Sequence, residues 1–201
     1  AECRRRTHGI MSQVARNRLI GGVFALLALL LPSPASAGGR REGLIVSGVQ
    51  TRIDFSLYDS EESFSAAVRG LAGRAVSPNG VDIIVFPEYL DVFLSFMPYQ
   101  GLLSESDSIA EGLAAVASSH SGLRSIGDIV AREDRRVEAY MDALWGSIAR
   151  ELDAVVVAGT YLDYHPDSGK ITNTAVVYGR DGKRLYVQDK VFLTEFEKDI
   201  L

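Results

Sequence analysis

The stretch VDIIVFPE, residues 81–88, decides the fold. Its first part, Val81–Phe86, is a nearly continuous apolar run, which is typical of a strand covered on both faces. A similar run, Leu44–Val49, lies upstream, and a helical pattern that Ser60 can cap separates the two runs. Strand, helix and strand in this order form a βαβ unit, so we expect an α/β fold with a locally parallel sheet.

Downstream of residue 88, the sequence continues to alternate between helical and strand patterns. Periodicity and end signals predict a helix after a capping box at Ser108, a helix from about 128 to 152, and strands over 154–161, 172–178 and 185–187. Asp181-Gly182 is typical of a tight turn, so we expect the last two strands to form a hairpin.

Composition indicates one globular domain and excludes two classes of site. The 201 residues are 47% hydrophobic and 23% charged, with a net charge of −5. A mildly acidic chain is a poor match for a nucleic-acid surface, which needs clustered Lys and Arg. His8, His120 and His165 lie far apart, so their spacing predicts no metal site, and we expect no cofactor. We expect His120 and His165 on the surface or in loops.

The N-terminal residues have the pattern of a secretory signal. A basic segment that begins at Met11 precedes an apolar run, Leu19–Leu31, and the small residues Ala35-Ser36-Ala37 follow. The run is shorter than the span of about 20 residues that a membrane anchor needs. We therefore expect residues 1–37 to be upstream residues plus a signal at 11–37, and 38–201 to be exported to the periplasm or the medium without a stable membrane span.

Two opposite charges come at the ends of predicted strands. Glu88 follows one apolar strand directly, and Lys190 ends the last one. In open α/β sheets ligands lie beyond the carboxyl ends of strands, so the two side chains can form one polar site. A carboxylate there can act as a base, and an ammonium can stabilise an oxyanion. Position alone also allows a solvated loop acid and an edge charge.

Four motifs in sequence resemble the carbon–nitrogen hydrolase (nitrilase) superfamily. They are GLIVSGVQ at 43–50, VDIIVFPE at 81–88, VVVAGTY at 155–161 and ITNTAVVYGRDGKRLYVQDKVFLTEFEKD at 171–199. The resemblance covers nearly all of 43–201. It implies an α-β-β-α sandwich of the nitrilase type, and residues 38–201 would be the N-terminal portion of that domain.

The resemblance also implies roles for individual residues. By position, Glu88 would be the general base of a Glu-Lys-Cys triad, and Lys190 would stabilise the tetrahedral intermediate. Glu197 is the best match to a further catalytic glutamate, with Glu195 second. Apart from the resemblance, four aromatic residues follow Glu88 and are candidates to line a substrate pocket, with Tyr89 as the predicted substrate-binding residue. A stretch this rich in aromatic residues fits a core better, and the four are Tyr89, Phe93, Phe96 and Tyr99.

The nucleophile of the family has no counterpart here. In the family a cysteine follows the lysine on the next strand-to-helix turn, whereas the only cysteine in this sequence is Cys3. We therefore expect a fragment that is inactive alone and whose α-β-β-α sandwich is incomplete. The segment 90–151 looks longer than the family minimum, and it is either a lid that sets substrate choice or a helical excursion.

Three functions fit these observations. The first is a hydrolase of small-molecule amides or nitriles that works through a thioester. The second is acyl transfer of the apolipoprotein N-acyltransferase type, although those proteins carry several membrane spans before the catalytic domain. The third is an exported binding protein without activity. A homodimer is compatible with each of them.

Overall fold

The computed structural model describes residues 43–200. The predicted signal peptide at 11–37 lies outside these residues. Within 43–200, no helix combines the length and the apolar character needed to cross a membrane.

The elements alternate between strands and helices, as the sequence predicts. The strands are β1 (Val46–Gly48), β2 (Ile83–Val85), β3 (Val155–His165), β4 (Lys170–Tyr178) and β5 (Arg184–Asp189). The α-helices are α1 (Glu61–Ala75), α2 (Gln100–Ser104), α3 (Ile109–Ser119), α4 (Ile126–Leu152) and α5 (Glu195–Ile200). Two 3₁₀ helices, Phe55–Tyr58 and Val92–Tyr99, complete the set.

One five-stranded sheet has the order β1-β2-β3-β4-β5. The first three strands are parallel, which confirms the predicted βαβ unit, and β4 is antiparallel to both β3 and β5. As a result β5 runs in the same direction as β2. The carboxyl ends of β2 and β5 and the beginning of β4 therefore lie at one edge of the sheet, which positions the candidate site.

Helices α1 and α4 cover one face of the sheet. Ile84, Val156 and Tyr178 are cross-strand neighbours, and each is 0% exposed on this face. They pack in one core with Phe64 of α1 and Trp145 of α4. Each helix begins where a serine side chain accepts a backbone N–H, Ser60 for α1 and Ser125 for α4, as expected for N-caps. The α/β class predicted from the sequence is therefore confirmed.

Within 43–200 the first strand is neither central nor covered on both faces, unlike the strand that its apolar run predicts. β1 is an edge strand of the sheet in 43–200, and Val46 is 55% exposed. Its apolar side chain lies on the face opposite the helices. That face also carries a cross-strand row formed by Val85, Val157, Val177 and Tyr186. The chain described here thus forms one helical layer and one sheet of the expected α-β-β-α sandwich.

The antiparallel part of the sheet is longer than predicted. β3 continues to His165, four residues past the predicted end at Tyr161, and pairs with β4 from Lys170 onwards. His165 is therefore a strand residue and not a loop residue. The Asp181-Gly182 hairpin between β4 and β5 is confirmed, and Gly182 adopts a φ of 77°, which glycine tolerates without a side-chain clash.

The segment 90–151 folds as helices. It comprises the second 3₁₀ helix and α2 to α4, with a small separate core in which Tyr99 packs on Val116 and Ile129. The expectation that Tyr99 is a core residue is confirmed, since it is 3% exposed. Phe93 packs against the main core from its rim.

Candidate active site

Glu88 is positioned by a sharp turn that follows β2. Tyr89 has a φ of 63°, which is uncommon for a residue with a side chain and turns the backbone away from the strand direction. The turn is held to β3 at Thr160, whose hydroxyl accepts the Tyr89 N–H at 3.0 Å and whose carbonyl accepts the Asp91 N–H at 3.1 Å. β3 is irregular between Val157 and Thr160, and this irregularity brings Thr160 into place.

Lys190 is positioned by the end of β5. Its backbone N–H donates to the carbonyl of Asn173 in β4 at 2.8 Å, so the backbone pairing of β4 with β5 extends to Lys190. The Lys190 side chain is 25% exposed. It reaches the turn after β2 across a sequence separation of 102 residues, and the two predicted strand-end charges therefore meet.

The ammonium of Lys190 is shared by two carboxylates. Nζ lies 2.9 Å from Glu88 Oε1 and 2.9 Å from each oxygen of Glu197. Nζ also lies 5.5 Å from the ring centroid of Tyr89, within the range of a cation–π contact. These hydrogen bonds, first that to Glu88 and then that to Glu197, raise the pKa of Lys190, so the side chain stays cationic at neutral pH.

Glu197 is buried in the first turn of α5. Only 4% of its side chain is exposed. Thr194 precedes the helix, its backbone N–H donates to Glu197 Oε2 at 2.7 Å, and its hydroxyl accepts the Glu197 N–H at 3.3 Å. This reciprocal pairing with Thr194 holds the Glu197 carboxylate in place independently of its contact with Lys190.

The charge on Glu197 is maintained by its hydrogen bonds. Burial by itself raises the pKa of the carboxyl, but hydrogen bonds from Tyr89, the Thr194 backbone, Lys190 and Asn173 outweigh it and hold the pKa well below its usual range. Tyr89 Oη donates to Glu197 Oε1 at 2.6 Å, and burial followed by this bond raises the pKa of Tyr89. At neutral pH Glu197 is therefore ionised and Tyr89 is uncharged.

Asn173 is a site residue that the sequence did not assign. It is 1% exposed, and its Nδ2 donates to Glu88 Oε1 at 3.0 Å and to Glu197 Oε1 at 2.8 Å. Its Oδ1 has no hydrogen-bond partner within 43–200. Asn173 lies near the start of the 171–199 motif, upstream of Lys190. Neither a charge nor a characteristic spacing distinguished it from a turn residue in the sequence.

The structure separates the two candidate glutamates that follow the lysine. Glu197 contacts Lys190, whereas the Glu195 side chain is 91% exposed and pairs with Lys198 at 2.6 Å. Tyr89, predicted to bind substrate, lies half-buried between Glu197 and Lys190. The candidate site is accordingly defined by Glu88, Tyr89, Asn173, Lys190 and Glu197.

The side chain of Asp91 lies beneath the turn that follows β2. It is 0% exposed, and its Oδ1 accepts the Trp145 indole N–H at 3.2 Å while Oδ2 has no partner within the described chain. Burial raises the pKa of Asp91 to about 8. A Cβ on Gly159 would lie 2.7 Å from Leu90 and 3.1 Å from Asp91 Oδ2, so glycine is required for the turn to lie this close to β3.

The arrangement can perform one kind of polar catalysis. A half-exposed carboxylate, Glu88, is next to a permanent cation, and a buried carboxylate with an amide donor orients that cation. A base beside a preorganised cation suits attack on a carbonyl or nitrile carbon, where negative charge develops on oxygen or nitrogen.

No family model matches the sequence. No curated protein matches it either. Among solved structures, a double mutant of the amidase from Nesterenkonia sp. AN1 in complex with acrylamide is similar with a TM-score of 0.48 and 15% identity, over 80% of this chain and 48% of that one.

Two further solved structures are similar to this chain. A carbon–nitrogen hydrolase from Helicobacter pylori has a TM-score of 0.44 and 16% identity, over 78% of this chain and 43% of that one. A member of branch 10 of the nitrilase superfamily from Saccharomyces cerevisiae has a TM-score of 0.44 and 15% identity, over 79% of this chain and 47% of that one. The chain spans less than half the length of these three structures.

Proposed function

We propose that this chain supplies the acid–base part of the active site of a hydrolase that cleaves carbon–nitrogen bonds in small amides or nitriles. The observation that carries the proposal is the position of Lys190 Nζ, 2.9 Å from Glu88 Oε1 at the edge where β2 and β5 end. The nitrilase resemblance implies catalytic roles for Glu88, Lys190 and Glu197. The contacts of Lys190 with both glutamates support the proposal.

Each residue has a separate task in the proposed reaction. With an amide, Glu88 takes the proton of a cysteine thiol, and the thiolate attacks the carbonyl carbon to form a tetrahedral intermediate. With a nitrile, the attack first gives a thioimidate, and addition of one water to it gives the tetrahedral intermediate. Lys190 donates a hydrogen bond to the negative charge of that intermediate. Glu88 then returns the proton to the departing nitrogen, which leaves a thioester, and the same carboxylate activates the water that hydrolyses it.

The buried Glu197 orients the lysine in this scheme. Lys190 cannot act as the base, because hydrogen bonds to two carboxylates raise its pKa. It is therefore the oxyanion partner, and Glu88, at 45% side-chain exposure, is the carboxylate with access to substrate. Tyr89, beside both, is placed to contact the substrate.

No cysteine lies in 43–200, and Cys3 is the only one in this sequence. As part of the proposal, the nucleophile is a cysteine that follows Lys190 in a longer protein, as the family resemblance implies. We also propose that it is exported, on the signal-like segment from Met11 to Ala37. Mass spectrometry of the exported protein should find Gly38 at its N-terminus, and an intact 19–31 segment would contradict export with cleavage.

The test uses the longer protein that contains the cysteine. It is assayed for ammonia release from a panel of small amides and nitriles, and the acyl-enzyme is sought by intact mass spectrometry. Glu88→Gln and Lys190→Ala should each abolish turnover while far-ultraviolet circular dichroism stays unchanged. Near-normal turnover in either variant removes that residue from the mechanism.

Matched controls separate a catalytic loss from a general loss of charge. Glu105→Gln and Lys183→Ala change exposed residues outside the candidate site and should retain turnover. An acyl product that forms only when an amine or lipid acceptor is added indicates acyl transfer. A longer protein without a cysteine after Lys190 indicates a binding protein on the same fold.

A further inference from the structure

A second polar cluster lies in the antiparallel part of the sheet. Asp163 and His165 are alternate residues of β3 and therefore lie on one face of it. Asp163 pairs with Thr172 of β4, and Asp189 of β5 pairs with Thr174 two residues further along β4. The strand register thus brings two aspartates and a histidine together across three strands.

The cluster is distinct from the candidate active site. Thr174, which donates to Asp189 Oδ1 at 2.9 Å, is adjacent in β4 to Asn173, which donates to Glu88 and Glu197. Neighbouring residues of a strand point to opposite faces of the sheet. The cluster therefore lies behind the strands that carry Asn173 and Lys190.

The three ligand-type atoms of the cluster are close enough to bind one ion. They lie within 4.8 Å of one another, with His165 Nε2 3.9 Å from Asp163 Oδ2 and 3.8 Å from Asp189 Oδ2. A tetrahedral zinc ion with bonds of about 2.0–2.2 Å requires ligand atoms roughly 3.4 Å apart. Binding would require small side-chain rotations that supply this contraction and replace the 2.9 Å hydrogen bond between His165 Nε2 and Thr172 Oγ1. Side-chain exposures of 17%, 40% and 46% leave a path from solvent.

The surrounding charges favour a cation. Asp134 of α4 accepts the Tyr164 N–H at 3.0 Å, so its carboxylate also faces this end of β3. Arg184 of β5 is engaged by Glu138 at 2.9 Å and by Asp142 at 2.5 Å.

A buried hydroxyl next to the cluster provides an independent observation. Tyr161 lies two residues before Asp163 on the same face of β3, is 1% exposed, and its Oη has no hydrogen-bond partner within 43–200. Buried polar atoms without a partner are rare, and a bound ion with its water is one arrangement that satisfies them.

We propose that Asp163, His165 and Asp189 bind one divalent transition-metal ion, with water completing the coordination. One imidazole and two carboxylates suit zinc better than magnesium or calcium, which prefer oxygen ligands alone. The ion ties β3 to β5 behind Asn173 and Lys190, so its role is to hold the edge of the sheet that carries the candidate site. Residue spacing predicted no metal site because Asp189 reaches the histidine only through strand pairing.

The test is direct metal binding to the purified protein. After removal of metal with a chelator, Zn²⁺ alone is titrated by calorimetry, thermal unfolding is followed with and without Zn²⁺, and Co²⁺ is added to look for visible absorption of a tetrahedral site. We expect the wild type to show a zinc-dependent rise in Tm that His165→Gln and Asp163→Asn both lose. Asp167→Asn, an equal charge change in the exposed turn after β3, should retain it.

Each outcome bears on the proposal. A Tm that does not respond to Zn²⁺ in the wild type overturns it. An equal response in His165→Gln also overturns it, because binding then occurs elsewhere, for example near Cys3 and His8. If one variant fails to fold without metal, as circular dichroism would show, the other variant and the cobalt spectrum decide the matter.

Discussion

Both carboxylate oxygens of Glu197 lie 2.9 Å from the ammonium of Lys190, and only 4% of the Glu197 side chain is exposed. A buried carboxylate in this position keeps Lys190 cationic and restricts its rotamers before substrate arrives. Preorganised charge of this kind is what stabilises an oxyanion without reorganisation during the reaction. The relationship also couples the site to the stability of the fold.

This coupling predicts an acid-sensitive stability. The pKa of Glu197 in the folded chain lies well below its usual range, whereas an unfolded glutamate titrates near about 4.3. The unfolded chain therefore takes up the proton first, so the stabilisation is present above about pH 4.3 and is lost as the pH falls towards the folded pKa. Urea unfolding of Glu197→Gln should show a free energy that falls less steeply between about pH 5 and pH 3 than that of the wild type.

The control for this measurement is on the same helix. Glu195→Gln removes an equal charge from a side chain that is 91% exposed, and it should leave the wild-type slope intact. Equal slopes for Glu197→Gln and the wild type would mean that the buried carboxylate does not stabilise the fold through its charge.

The amide of Asn173 should couple the two glutamates energetically. Its Nδ2 donates to Glu88 at 3.0 Å and to Glu197 at 2.8 Å, and hydrogen bonds to charged groups are the stronger kind. Asn173→Ala should lower the free energy of unfolding by about 1–3 kcal/mol at pH 7. In a double-mutant cycle with Glu197→Gln, the two losses should not add, because the same hydrogen bond is removed twice. Strict additivity would contradict the proposed network.

Much of the fold could be predicted because its signals are local. Apolar runs and serine caps located the parallel strands and the long helix to within a few residues, as at Ser60 and Leu152. The apolar run at 44–49 did not predict that β1 is an edge strand within 43–200. Such a run indicates that a strand prefers to be covered, but it does not indicate which neighbour covers it. Val46, at 55% exposure, has no cover among the residues from 43 to 200.

The candidate site could be predicted only in part. Glu88 and Lys190 were identifiable because the family motifs distinguished them, whereas their positions at strand ends also allowed a solvated loop acid and an edge charge. Asn173 and the Thr194 contacts were not, since uncharged side chains in a site have no composition signal. Asp91 was missed for a different reason: its burial depends on how closely the turn after β2 approaches Gly159.

Asp91 predicts a stability that falls as the pH rises. Burial raises its folded pKa to about 8, whereas an unfolded aspartate titrates near about 3.9. Between these values the unfolded chain is ionised and the folded chain is not, so stability is fully present below about pH 4 and declines up to about pH 8. Asp91→Asn, which keeps the size and the acceptor for Trp145, should flatten this decline and be more stable than the wild type at pH 8.

Chemical denaturation at a series of pH values measures this effect. Asp167→Asn serves as the control, because Asp167 is exposed and its substitution should leave the pH dependence as it is in the wild type. An equal decline in Asp91→Asn and the wild type would show that Asp91 is already ionised in the folded protein over this pH range.

Two glycines in helices should respond in opposite ways to alanine. A Cβ on Gly146 of α4 would lie 2.5 Å from the carbonyl oxygen of Gly182 in the β4–β5 hairpin, and backbone cannot yield as a flexible side chain can. Gly146→Ala should therefore destabilise the fold by about 1–3 kcal/mol, as overpacking does. Gly73 of α1 has nothing within 4 Å of a Cβ, so Gly73→Ala should stabilise it by about 0.4–1 kcal/mol through reduced freedom of the unfolded chain. Urea unfolding at pH 7 measures both, and a stabilising Gly146→Ala would mean that α4 does not pack this closely on the hairpin that leads into β5 and Lys190.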